Sequence, residues 1–211
     1  LAFPGAEHGR LPVIYHISPE GKLLNSFTVG EREWNIVDSM ATDAQGRLYM
    51  RMRMQEDGSY VRIYSAEGEL IGTVADDDSY AVQGAGALGQ GKDGKVYAAA
   101  QAVGNTTAGD MAMTLVSVDP ESLRFVPVAG GENVICSADT IYPWKMVAAG
   151  VSETADFILW GYNGVDTYRL GETEFTRVQE NWEMPCGTEG TCAVLVPDGR
   201  ILYIGASDGF Q

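Results

Sequence analysis

Two arginines that alternate along one short segment are the first candidates for ligand recognition. Arg51 and Arg53 lie in Leu48–Met54, where apolar leucine and methionine residues alternate with Tyr49 and the two arginines. In a β-strand this alternation places the arginines together on one face. Guanidinium groups bind carboxylates through two parallel hydrogen bonds, so an accessible pair would form an anion site. In a strand that is covered on both faces, the arginines would instead pair with carboxylates of a neighbouring sheet.

Two tryptophans in proline-containing segments are further candidates for ligand contact. Trp144 follows Tyr142-Pro, and Trp182 lies in Asn181-Trp-Glu-Met-Pro185. Aromatic residues in such loop-like segments either fill gaps in the packing or form a platform for a sugar or a peptide. The candidate ligand-binding residues are therefore Arg51, Arg53, Trp144 and Trp182.

The three cysteines divide into a pair and a single residue. Cys186 and Cys192 bracket a stretch that contains two glycines, whereas Cys136 stands alone. A disulfide between Cys186 and Cys192 would close a small loop, worth about 2 kcal/mol in the loop-entropy model. Such a bridge predicts an oxidising compartment, and hence an extracellular or cell-surface protein. The alternative is two reduced cysteines at neighbouring strand ends.

The sequence offers little for catalysis or for a cofactor. It contains no Gly-x-Ser-x-Gly motif, and His8 and His16 are its only histidines. The glycines in 84–89 are not followed by the βαβ pattern of a dinucleotide site. No further metal ligands accompany the cysteines, and Asp76–Asp78 lack the alternating spacing of calcium ligands. We therefore expect no catalytic residue, no metal site and no cofactor.

The charge of the chain limits its partners. It has 29 acidic residues against 14 lysines and arginines, a net charge of −15. Nucleic acids and anionic membranes attract clustered basic residues, so this balance excludes the first and disfavours the second. No apolar run is long enough to span a membrane. The expected partner is a protein or a small molecule such as a sugar or a peptide, and the sequence leaves the oligomeric state open.

Two sequence motifs recur along the chain and indicate its architecture. An Asp/Gly turn before an apolar-aromatic strand occurs at 43–49, 92–97 and 197–203. A strand–turn–strand motif rich in Pro, Glu and Gly occurs at 13–24, 61–71 and 115–125. Together they predict two hairpins in each period of about 50 residues, which is four antiparallel strands per unit. We expect Asp43, Asp93 and Asp198 to cap backbone amides within their turns.

Four-stranded units of this length are typical of β-propeller blades. The predicted fold class is thus all-β, a β-propeller in a single domain over 1–211. The chain begins with one of these motifs and ends with the other, so the two ends together could make one four-stranded unit. This predicts that Ile201–Ile204 and Val13–Ile17 share one sheet and close the ring. The alternative is an arc of a larger propeller. The expected blades lie near 39–75, 84–128 and 145–179, with a fourth made from 190–211 and 12–29.

These motifs resemble the blades of bacterial propellers of the NHL and YVTN type over about residues 12–206. Four blades are few for this blade type. The acidity and the divergent blades also resemble propeller domains attached to extracellular solute-binding lipoproteins. The resemblance implies an exported, non-catalytic binding module. Because lactonase-like propellers hold an axial divalent ion, it also implies an alternative, a metal-dependent hydrolase or lyase.

Overall fold

The chain folds entirely into antiparallel β-structure where a computed structural model describes it. Within the described ranges every regular element is a strand, and no helix could cross a membrane. The all-β class predicted from the sequence is therefore confirmed. The structure describes residues 2–3, 11–29, 36–54, 58–75, 79–81, 88–102, 113–132, 145–148, 156–161, 164–171, 175–182, 192–195 and 201–204.

Two sheets come from the N-terminal half of this β-structure. The first sheet has the strand order β1-β2-β3, and the second is a four-stranded meander in the order β4-β5-β6-β7. Their strands are β1 (Ala2–Phe3), β2 (Val13–Ile17), β3 (Leu23–Thr28), β4 (Ile36–Thr42), β5 (Leu48–Met54), β6 (Gly58–Tyr64) and β7 (Leu70–Ala75).

The third sheet has the order β12-β11-β10, with β8 and β9 both paired to β10. The fourth is a meander, β13-β14-β15-β16, and the fifth contains β17 and β18. Their strands are β8 (Tyr80–Ala81), β9 (Leu88–Gln90), β10 (Val96–Ala102), β11 (Thr114–Asp119), β12 (Arg124–Pro127), β13 (Lys145–Ala148), β14 (Phe157–Gly161), β15 (Gly164–Leu170), β16 (Phe175–Trp182), β17 (Cys192–Leu195) and β18 (Ile201–Ile204).

Both recurring sequence motifs form tight hairpin turns. In the turn 43–47, Asp43 N donates to Arg47 O and Gly46 N donates back to Asp43 O. The same pair of bonds closes the turns 18–22, 65–69 and 91–95. In each, the fourth residue is a glycine with a φ of 78° to 95°, a left-handed conformation that strains other residues. The Gly positions of the repeat are therefore set by turn geometry.

The second sheet is covered on both faces. Met50 and Met52 pack with Ile14 of the first sheet on one face. Tyr49, Val61 and Ile63 pack on the other face against the third sheet, in a cluster with Leu88, Val96, Ala98, Ala100, Val116, Val118 and Phe125. The alternation predicted for Leu48–Met54 is confirmed at these residues. Each large side chain buried in this way contributes about 1.5–3 kcal/mol.

Further contacts extend the stack along the chain. The Tyr97 and Phe157 rings meet edge to face at 5.2 Å between the third and fourth sheets. Strand β9 contacts both β4 and β13, and β13 contacts β17. Strand β7 contacts β12. The first strands of the meanders, β4, β9, β13 and β17, therefore contact one another in sequence, and the last strands of the second and third sheets, β7 and β12, also contact each other.

The two ends of the chain do not share a sheet in the part that the structure describes. Strand β18 pairs with β17, whereas β2 pairs with β3 and with β1. Ala2 and Phe3 lie opposite Ile14 and Val13, so β1 pairs with the first two residues of β2. The predicted shared sheet between Val13–Ile17 and Ile201–Ile204 is not shown by these pairings and stays a prediction.

Candidate functional site

The hairpin turns of the second and third sheets lie together at one end of the stack. In each meander the first and third turns fall at the same end, here the turns 43–47 and 65–69 and the turns 91–95 and 119–124. Ala44 N donates to Gly94 O across the two sheets at 2.9 Å, which fixes these ends side by side. We name this the turn end, and the opposite end, where β5 passes into β6, the connection end.

A pocket of about 470 Å³ opens at the turn end between the second and third sheets. It is bounded by the turns 43–47, 91–95 and 119–124. The apolar part of its wall comes from Val96, Val118, Pro120 and Val126. Its volume lies within the usual range for small-molecule sites. The pocket is therefore the candidate ligand site, and we name it the turn-end pocket.

Asp43 organises one side of the turn-end pocket. Its Oδ1 accepts hydrogen bonds from the amides of Gln45 and Arg47, both at 2.9 Å. Its Oδ2 accepts from the Arg47 guanidinium and from the Tyr49 hydroxyl, the latter at 3.0 Å. Burial raises the pKa of the Asp43 carboxyl, but the bonds from Arg47 and Tyr49 outweigh it and hold this pKa below its usual range. Asp43 is thus an ionised structural residue.

The third sheet repeats this arrangement with a shifted carboxylate. Asp93 Oδ1 accepts from the Lys95 amide at 3.2 Å, and Asp93 Oδ2 accepts from the Tyr97 hydroxyl at 2.8 Å. Gly91 occupies the position that Asp43 has in its own turn, and a Cβ there would lie 2.5 Å from the Tyr97 ring. The predicted capping role is confirmed for Asp43 and Asp93, while Asp198 lies outside the described residues.

The turn 119–124 supplies the remaining acids of the turn-end pocket. Asp119 accepts hydrogen bonds from the amides of Glu121 and Ser122 and from the Ser122 hydroxyl. The Ser122 hydroxyl and these amides lower the pKa of Asp119. The carboxylate of Glu121 reaches Arg47 Nη1 at 3.4 Å, and its side chain is 86% exposed. This ion pair links the second sheet to the third.

Tyr49, which lines the pocket, and Tyr97, which is bonded to the pocket residue Asp93, both keep their protons. Burial and the hydrogen bond to Asp43 raise the pKa of Tyr49, and burial and the bond to Asp93 do the same for Tyr97. Both hydroxyls donate to a carboxylate, so neither is poised to act as a base. Among the described residues, no three acidic, histidine or cysteine side chains are grouped so that they could hold a metal ion.

The residues predicted from the sequence to bind ligand do not line the turn-end pocket. Arg51 is fully buried on the Tyr49 face of β5. Arg53 lies opposite Ser59, and Trp182 lies opposite Val165, which places both at the connection end. Trp144 and Cys186 lie outside the described residues, and Cys192 lies in β17 opposite Ile204. The ligand role of these residues and the disulfide stay predictions.

Reasoning from the sequence missed the turn-end pocket and its exposed charges, Lys95 and Glu121. Both lie in turns of the recurring motifs, and a meander brings alternate turns to the same end of the sheet. The regular spacing of these turns was therefore the signal in the sequence from which the pocket could have been predicted. In comparisons with known proteins, no family model matches this chain and no curated protein is similar enough to count as a relative.

Proposed function

We propose that this protein is an exported, non-catalytic binding module of the β-propeller type. The contacts of first strand with first strand and of last strand with last strand support radial stacking of four-stranded sheets. Such sheets have two apolar faces and become stable by stacking, as the second sheet does between its neighbours.

The turn-end pocket is the observation that carries the binding function. It is a recess between two rigid sheets, and turns on a rigid scaffold are the usual place for recognition. Its most buried acid, Asp43, accepts four hydrogen bonds from its own turn and from Tyr49. A carboxylate committed in this way holds structure and is not free to transfer protons, which favours binding over catalysis.

The charge and the cysteines support the class of partner and the location. A net charge of −15 favours a protein or small-molecule partner over nucleic acid. Export rests on the predicted disulfide between Cys186 and Cys192. Arg53 and Trp182 at the connection end are the second candidate region for recognition on the same module.

A thermal-shift panel tests the binding function. The probes are soluble sugars, free amino acids and short peptides, each titrated into the full chain. A ligand of the folded state raises Tm with its concentration, and we expect this for at least one class. No shift with any class, from protein with the circular dichroism of a folded all-β chain, would overturn the proposal.

A further inference from the structure

The charged side chains of the turn-end pocket do not cancel. Asp43 pairs with Arg47, and Asp93 Oδ2 lies 3.8 Å from Lys95 Nζ. With these two pairs set aside, Asp119 and Glu121 remain as surplus negative charge on the turn 119–124. Asp119 accepts hydrogen bonds from its own turn, whereas the Glu121 side chain is 86% exposed and is therefore the carboxylate that can receive a positively charged group.

Positive charge also lies at the rim of the turn-end pocket. The Lys95 side chain is 68% exposed, and its ion pair at 3.8 Å is near the limit for such contacts. Among the described residues, the outer nitrogens of Arg47 make two contacts, both long, 3.4 Å to Glu121 and 3.5 Å to Gln45. Exposed ion pairs of this length contribute little, so a ligand can replace them at small cost.

The presence of both signs of charge in the pocket lining decides the class of ligand. A purely cationic ligand would lie beside Arg47 and Lys95, and a purely anionic one beside four carboxylates. In the part of the chain that the structure describes, no group of three suitable ligands could hold a metal ion. A molecule that carries both charges can pair with Glu121 and with Lys95 and Arg47, while its apolar part can contact Val96, Val118 and Val126.

We propose that the turn-end pocket binds a small zwitterion, an amino acid or a short peptide, with its ammonium group at Glu121 and its carboxylate at Lys95 and Arg47. This inference rests on the proposed binding function and deepens it by naming the ligand class. It uses the exposed ends of the turn residues and leaves the Asp43–Tyr49 hydrogen bond intact.

Calorimetric titration with four related probes tests the ligand class. They are L-alanyl-L-alanine, its C-terminal amide, its N-acetyl derivative, and the N-acetyl amide that lacks both charges. We expect binding of the zwitterion and a loss of about tenfold or more when either charge is removed. Equal binding of all four probes, or no binding of the zwitterion, would overturn the inference.

Matched variants tie the binding to the turn-end pocket. Glu121→Gln and Lys95→Gln should each weaken binding of L-alanyl-L-alanine by about tenfold, since each loses one charged contact. Lys22→Gln and Glu67→Gln are the controls. Lys22 has the position of Lys95 in an equivalent turn, and Glu67 is the third residue of its turn as Glu121 is of 119–124, while neither is among the residues that line the pocket. Equal effects at the control positions would place the site elsewhere. If the dipeptide does not bind but a sugar raises Tm, the proposed ligand class is wrong and the binding function stands. If no probe binds, the binding function is wrong as well.

Discussion

The Tyr49 hydroxyl donates a hydrogen bond of 3.0 Å to Asp43 Oδ2, which joins the turn 43–47 to the core between the second and third sheets. Tyr49 is 1% exposed and packs with side chains of both sheets. The carboxylate that shapes the turn therefore also satisfies the polar end of a core residue. Turn geometry and sheet stacking depend on the same side chain.

Replacing Asp43 should destabilise the fold more than replacing Asp93. The Asp43 side chain is 2% exposed and that of Asp93 is 37% exposed. Asp43→Ala leaves buried donors unsatisfied, so we expect a loss of about 2–3 kcal/mol in the free energy of unfolding. Asp93→Ala should cost about 1 kcal/mol. Urea denaturation measures both, and equal losses would show that burial of the Asp43 carboxylate does not matter.

Acid should remove the contribution of Asp43. Its pKa is lowered in the folded protein, while the unfolded chain keeps the ordinary value of about 3.9. The stabilisation is therefore present above about pH 4 and is lost as the pH falls through the folded pKa. We expect wild type to be more stable than Asp43→Asn at neutral pH and the difference to shrink below about pH 4. Urea midpoints across this range test the prediction, and a difference that is independent of pH would contradict it.

Local features of the sequence predicted the strands and turns because they act over a few residues. The alternation around Met50 and Met52 assigns the two faces of β5, since the side-chain period of a strand is two. The Asp/Gly spacing predicts the capping by Asp43 because the amides it binds lie within four residues. The pairing of Ala2–Phe3 with β2 was not predictable, since two residues carry no periodicity.

Glycine substitutions separate turn strain from sheet packing. Gly21 and Gly68 have φ values of 83° and 95°, so alanine should be strained at both, by about 1–2 kcal/mol. A Cβ at Gly68 would lie 2.5 Å from the Phe27 ring, whereas nothing lies within 4 Å of one at Gly21. We therefore expect Gly68→Ala to cost about 1–3 kcal/mol more than Gly21→Ala in urea denaturation.

The Phe27 ring provides the control for this comparison. In a Phe27→Ala background the ring contacts are gone and the contact with the Cβ of residue 27 at 2.9 Å remains, so the difference between the two glycine substitutions should become smaller. An unchanged difference would show that the first sheet does not pack on Gly68.

Alkylation of the cysteines tests the predicted disulfide and, with it, export. If Cys186 and Cys192 are bridged, alkylation of unfolded, unreduced protein should label Cys136 alone. Mass spectrometry after proteolysis gives the labelled positions. Prior reduction is the control and should yield three labelled cysteines. Three labels without reduction would remove the main support for an oxidising compartment.

The turn-end pocket was beyond sequence reasoning for a physical reason. It forms where the turn of Arg47 meets the turns of Lys95 and Glu121, in two different sheets. Their proximity depends on how the sheets stack, which is decided by the packing of cores such as Tyr49 with Val118. Arg51 illustrates the same limit, because its alternation was readable but its full burial depends on the neighbouring sheets.

Hydrogen–deuterium exchange in the presence and absence of L-alanyl-L-alanine tests most directly the claim that ligand binds at the turn-end pocket. Ligand contacts slow amide exchange by stabilising the segments they touch. We predict slower exchange in the turns 43–47, 91–95 and 119–124 and unchanged exchange around Arg53 and Trp182. Exchange that does not respond to the dipeptide, or protection confined to the connection end, would contradict the account.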